Sequence, residues 1–357
     1  AVGRDAAQVS TVTRRVTGLS DSDDQEEAGR RLVDALAQAD EVDRRRAGAR
    51  IALDLGLEDE AMQLSRDVAG DLQGRARTTF LTDVARRARD QELADVAAWA
   101  YDSLGGSASS PAERRQFDQR IVDVSLAAGD TATALEAQRR VAESFSAGSV
   151  DRRRATAQII RLETSRSGPE ELQAMLADFR ESFPNAPELD DLAATVAGTL
   201  LARGDQAGAA AVLTGIEGPR SSLERAYLLL GAGELAEGRQ ALLLALTGLA
   251  PTEATPVIQF AGLLGRASPA AAPVLAEAGV AAHGGRGSDA ATLLSGAVDG
   301  FEEGERAPML SEAARMAAAA GDAAQAAEIR TRLVTEYPDA IEYGEAALEL
   351  ARWHART

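Results

Sequence analysis

The chain of 357 residues has no cysteine, two histidines (His283 and His354) and no lysine, so all 38 of its basic side chains are arginine. Each absence removes chemistry. Without cysteine there is no thiolate nucleophile, disulfide framework or cysteine metal site, and without lysine there is no phosphate-loop ammonium and no Schiff base. The two histidines stand far apart with no HExxH-like neighbourhood, which argues against a histidine zinc site and a Ser-His-Asp triad. Aromatic residues make up only 4% of the chain, too few to fill one large spherical core. The most apolar run, residues 241–250, is ten long and falls short of the roughly 18 residues of a membrane span. No cofactor, metal or membrane span is implied.

What is present points elsewhere. The 56 acidic side chains outnumber the basic ones and give a formal net charge of −18. This charge favours solubility and argues against non-specific binding to nucleic acid or anionic membrane, both of which require positive fields. Alanine forms roughly a fifth of the chain. Small side chains let helices approach closely, so an array of thin two-helix layers suits the composition better than a compact globule.

Apolar residues recur at helical spacing, as in Leu172, Met175, Leu176, Phe179 and Phe183, while alternating β-branched runs are missing. Short breakers separate the periodic segments: Leu55-Gly56-Leu57, Ala128-Gly129-Asp130, Arg203-Gly204-Asp205, Ala232-Gly233-Glu234 and Ala320-Gly321-Asp322, with weaker ones at Arg89-Asp90 and Ser167-Gly168. Positions 56, 90, 129, 168 and 204 are 34, 39, 39 and 36 residues apart, and Gly287 to Gly321 is again 34. A glycine can end one helix in the left-handed region, and an acid after it can cap the next. A small residue follows five places later, as Ala61, Ala134, Ala209 and Ala326, where two helices of a hairpin would touch.

This pattern resembles the tetratricopeptide repeat (TPR) family, most clearly over 307–340. Gly321, Asp322, Ala326 and Pro338 occupy the family's turn glycine, turn acid, second-helix alanine and terminal proline, and Ser182-Phe183-Pro184-Asn185 is similar to a second repeat end. Leu310, Ala317 and Arg330 depart from the family's large-residue positions. The resemblance implies an all-α, right-handed solenoid of roughly nine or ten helical hairpins. It divides into lead-in helices over 1–40 (4–18 and 21–39), an array over 41–340 that is irregular around 248–287, and a half repeat or solvating helix over 341–357. In the irregular stretch, segments near 252–266 and 268–283 lie among Pro251, Pro256, Pro269 and Pro273, and an inserted helix or a kink is expected.

Candidate binding residues follow from the family's use of its first helices to line a concave surface. Two Asp-Arg-Arg-Arg-Ala strings open such helices at 43–47 and 151–155. Arg46, Arg50, Arg87, Arg154 and Arg161 could face inward beside Asp83, Gln119 and Asp123 and hold a peptide carboxylate by bidentate contacts. The alternative for each is a solvated helix face paired with nearby acids. Phe80, Trp99, Tyr101 and Phe117 sit at core-like positions, which disfavours a nucleic-acid groove. The acids of 21–27 read as a helix start, and His283 and His354 as an ordinary loop residue and a helix-end residue.

The expected function is therefore a non-catalytic scaffold presenting a concave groove to a protein or peptide partner. The alternative is a subunit that stacks head-to-tail into a filament or ring through its terminal helices. The start at Ala1 and the missing cysteine suit an exported bacterial protein, periplasmic or extracellular, although trimming would leave the same start and a cytoplasmic location stays open.

Overall fold

The structure, a computed structural model, describes residues 22–356 together with residues 11, 15 and 16. The expected helix over 4–18 falls largely outside that range. The described residues form nineteen α-helices and two short 3-10 turns, with no strand. The chain is an all-α, TPR-like array of helix-turn-helix repeats, divided into two compact units, Ala1–Leu162 and Glu163–Thr357.

The N-terminal unit contains α1 (Ser22–Ala37), α2 (Val42–Asp54), α3 (Glu58–Asp71), α4 (Gly74–Asp90), α5 (Ala94–Gly105), α6 (Pro111–Ala127), α7 (Thr131–Glu143) and α8 (Val150–Glu163). Within it α2 pairs with α3, α4 with α5 and α6 with α7. Its core is thin and continuous, with Ile51, Leu53, Phe80, Leu81 and Val96 among many alanines. The C-terminal unit contains α9 (Pro169–Ser182), α10 (Leu189–Ala202), α11 (Gln206–Leu213), α12 (Pro219–Gly231), α13 (Leu235–Ala245), α14 (Pro251–Leu264), α15 (Ala271–His283), α16 (Gly287–Ala297), α17 (Glu303–Ala319), α18 (Ala323–Glu336) and α19 (Tyr343–His354). Here α10 pairs with α11, α12 with α13, α15 with α16 and α17 with α18, around Leu242, Phe260, Leu275, Leu294, Met309 and Leu333.

One turn joins every one of these seven hairpins. Its left-handed residue is Gly56, Glu92, Gly129, Gly204, Gly233, Gly285 or Gly321, with φ between 59° and 84°. The residue after it donates its N–H to the carbonyl five places back, as Leu57 to Ala52 at 2.9 Å, Asp205 to Leu200 at 2.9 Å and Asp322 to Ala317 at 3.0 Å. This closure satisfies helix-end carbonyls that would otherwise be orphaned. Asp130, Asp205 and Asp322 then cap the following helix with their side chains. Five places past the left-handed residue stand Ala61, Ala97, Ala134, Ala209, Gly238, Ala290 and Ala326, all buried. A side chain at Gly238 would meet Leu230 Cδ2 at 2.7 Å.

The structure moves three of the sequence-based breakers. The turn near Arg89-Asp90 places its left-handed residue at Glu92. Gly168 is the extended residue before α9 (φ −71°) and makes no such turn. Gly285, not Gly287, turns the α15–α16 hairpin, and Gly287 begins α16, where a Cβ would lie 2.8 Å from the Met316 carbonyl. Among the described residues, seven of the helix pairs close by this turn.

Between α13 and α15 lies α14, which belongs to no hairpin. It runs parallel to α12, because Arg220 pairs with Glu253 at 2.8 Å and, seven residues on in both helices, Tyr227 meets Phe260 at 6.2 Å. Yet α12 packs on α15, and antiparallel to it: Tyr227 stacks on His283, while Gly231, one turn later, meets Val280, nearly one turn earlier. One unpaired helix thus reverses the direction of the hairpins after it.

Candidate functional site

The helices α2 and α4 lie side by side and carry four of the sequence-derived site residues. Arg50 Nε donates to Asp83 Oδ2 at 3.0 Å. From α4, Arg87 donates to Asp83 Oδ1 at 3.2 Å and to Asp54 Oδ1 at 2.5 Å, and Arg86 reaches Asp83 at 2.9 Å. Burial pushes the Asp83 carboxyl up, but the hydrogen bond from Arg86 and the charges of Arg87 and Arg50 outweigh it and hold the group below its ordinary 3.8. Arg46 pairs with Asp43 at 3.6 Å, and its guanidinium lies 5.8 Å from the Phe80 ring centre. These arginines are already engaged, and the network ties α2 to α4.

Three others meet further along. Gln119 and Asp123 of α6 and Arg154 of α8 line one cleft of about 540 Å3, with α7 as its third wall. Its apolar side is Val122, Leu126, Val141 and Phe145; Leu126 is exposed there, and the Arg115 guanidinium lies 4.3 Å over the Phe145 ring. The polar side is rich in amides, with Gln116, Gln119, Gln138 and Gln158. Gln119 donates to Asp123 Oδ1 at 3.3 Å, while Arg154 makes no ion pair among the described residues. Gln138 is only 4% exposed; its Nε2 donates to the Ala155 carbonyl at 3.3 Å, which fixes the amide's orientation, and its Oε1 has no partner. Arg161, in the last turn of α8, does not line the cleft.

Next to the cleft, Asp118 is buried beneath Arg140 at 2.8 Å and Arg114 at 3.3 Å, and Arg114 also reaches Asp102 of α5 at 2.8 Å. Removing one partner from such a buried set leaves an uncompensated charge, so the wall is held stiffly. Phe80 and Tyr101 are buried. Trp99 and Phe117 are half-buried, with guanidiniums about 5.9 Å and 5.8 Å from their ring centres.

Sequence reasoning missed a second cavity, of about 420 Å3, in the C-terminal unit. It is lined by Tyr227 of α12, Phe260 of α14, His283 of α15 and Arg315 of α17, among others. His283, read from sequence as an ordinary loop residue, ends α15 and stacks on Tyr227 at 3.8 Å with an interplanar angle of 11°. Its Nε2 lies 2.8 Å from Glu224 Oε2. Arg315 bonds Glu312 and Gln259. These residues sit on four helices scattered over some ninety positions, so no local spacing could have joined them.

No family model and no curated protein matches the chain. Solved structures that resemble it include Naa15/Naa10 bound to HypK-THB (14% identity, TM-score 0.39), where the match covers 98% of this chain and 61% of the other's length. A Rap protein complexed with competence and sporulation factor matches at 12% identity over 98% of this chain and 95% of that one, with a TM-score of 0.29. The TPR domain of P58(IPK) matches at 10% identity over 98% of both chains, with a TM-score of 0.23. No helix among the described residues is long and apolar enough to cross a membrane.

Proposed function

We propose that the chain is a non-catalytic scaffold that binds an extended segment of a protein partner in the cleft between α6, α7 and α8. The observation that carries this reading is an apolar floor, exposed Leu126 beside half-buried Phe145, facing a wall of amides from Gln116, Gln119 and Gln158. An extended peptide offers apolar side chains for the floor and backbone N–H groups for the amides, since glutamine both donates and accepts. Arg154, without an ion-pair partner among the described residues, supplies a charge-assisted contact to a carboxylate on the segment.

The test is selection of binding peptides from a displayed library, followed by calorimetry on the selected sequences. The scaffold reading expects peptides with an apolar anchor and a nearby acid, whose affinity falls about tenfold or more in Arg154→Glu or Gln119→Ala. Selected peptides that bind both variants unchanged would remove the cleft from the reading. One observation favours the head-to-tail alternative: Ile341, Tyr343 and Leu348, on or beside α19, are exposed. Sedimentation with and without residues 341–357 decides it, because a mass that stays monomeric in both ends the stacking idea.

A further inference from the structure

We infer that α19 pairs with the α19 of a second copy of this chain, the two helices lying antiparallel across a twofold axis and closing a two-chain particle. The contact lies in the C-terminal unit and is independent of the α6–α8 cleft. The face concerned is one that the repeat elsewhere buries. In the 34-residue register Met309 of α17 corresponds to Tyr343 of α19, and Ala314 to Leu348. Met309 is 0% and Ala314 2% exposed, whereas Tyr343 is 39% and Leu348 52% exposed. In its hairpin α17 has α18 against it, and among the described residues no following helix takes that place against α19. An apolar face left bare in this way is a surface on which a further helix packs.

Charge selects the occupant. Glu345, Leu348 and Arg352 fall at i, i+3 and i+7 of α19 and share one face, with the acid before the exposed leucine and the base after it. Two such helices crossing antiparallel at Leu348 bring Glu345 of each copy opposite Arg352 of the other, and the twofold axis makes the contact twice. A parallel pair would set acid against acid and base against base. Both groups are available. Arg352 is exposed and commits one terminal nitrogen to Glu349 at 2.5 Å, which leaves further N–H donors. Glu345 is exposed and makes no ion pair among the described residues, although its charge acts on Arg315 of α17. Gly344 and Ala351 flank Leu348 on the other side, both exposed, and such small side chains let two helix axes approach closely. The first described helix is a poorer counterpart: the exposed positions of α1 include Glu27, Arg31, Asp34 and Gln38, with Arg31 already paired to Glu27. A contact that closes at two copies therefore suits these residues better than a head-to-tail contact that keeps growing. One helix pair is small beside a standard interface, so the equilibrium is weak, with single chains at about 10 µM and pairs toward about 1 mM.

The experiment is sedimentation equilibrium of the full chain between about 10 µM and about 1 mM. The mean mass should rise from that of one chain, 37.3 kDa, toward that of two and stop there. Glu345→Arg and Arg352→Glu each set like charges face to face, and each alone should weaken pairing about tenfold or more. Mixed in equal amounts, the two variants restore opposite charges at both contacts and should recover pairing, an outcome that a contact between unlike surfaces would not give. Leu348→Gln, a change at an exposed position, should also weaken pairing. Far-ultraviolet circular dichroism checks that each variant is folded; should a charge variant unfold, Leu348→Gln and the limit at two copies decide. A chain that stays single at about 1 mM, a mass that grows past two copies, pairing unchanged in Leu348→Gln, or a mixture of folded charge variants no more associated than each alone overturns the inference, and none of these outcomes bears on the α6–α8 cleft.

Discussion

Glu92 holds the left-handed turn position at which six other hairpins have glycine. A non-glycine residue there carries roughly 1–2 kcal/mol of steric cost from its Cβ. Glu92→Gly is therefore expected to stabilise the fold by up to about 1 kcal/mol once the greater freedom of glycine in the unfolded chain is subtracted, read as a raised denaturation midpoint. A lowered midpoint would show that the strain is relieved elsewhere. The buried alanines that follow each turn make a complementary prediction. Ala209 is fully buried at the contact of α10 with α11, so Ala209→Leu should cost about 1–3 kcal/mol by overpacking, read as a fall in thermal midpoint. Asp83 predicts a pH dependence. Its carboxyl is held below the ordinary 3.8, so its ion pairs stabilise the fold above the unfolded-state value and are lost as pH falls through the lower folded value. The gap in stability between the native chain and Asp83→Asn should be present at pH 7 and shrink as pH is taken below 3.8; a gap unchanged at low pH would mean that packing, not charge, holds α2 to α4.

At the level of elements, the hairpin was the legible unit. Gly56, Gly129, Gly204, Gly233 and Gly321 stand out in the sequence because a left-handed turn selects glycine locally, and the alanines follow at fixed spacing. Glu92 was not legible because its neighbours, not its residue type, force its conformation. Gly287 misled for a related reason: it is small because the Met316 carbonyl approaches it, which is a tertiary demand. For α14 the prolines signalled irregularity, yet the reversal of direction depends on which helix packs beside α12, and no periodicity records that. Gln119, Asp123 and Arg154 were found as exposed polar residues of first helices, whereas the orphaned oxygen of Gln138 depends on α8 docking its Ala155 carbonyl. The docking of α14 can be tested at one residue. Gly279→Ala drives a methyl into Phe260 and should cost about 1–3 kcal/mol, with hydrogen exchange speeding up in α14 more than in α12 or α13. Uniform exchange across the unit would contradict the view that α14 is held mainly by that contact.

On the scale of the whole molecule, the chain forms two units with separate cores, and the amide-lined cleft lies in the N-terminal one. Stability in such arrays is a sum of hairpins and their nearest-neighbour contacts, so a damaged hairpin weakens its own neighbourhood first. The scaffold reading expects a particle of 37.3 kDa in dilute sedimentation, since a single chain already supplies every wall of the cleft. Its central claim is that an extended segment lies between α6, α7 and α8. The most direct measurement is amide hydrogen exchange with a peptide selected for binding. The account predicts slowed exchange confined to residues 111–163, lost in Arg154→Glu; protection elsewhere, or protection that survives that substitution, would contradict it.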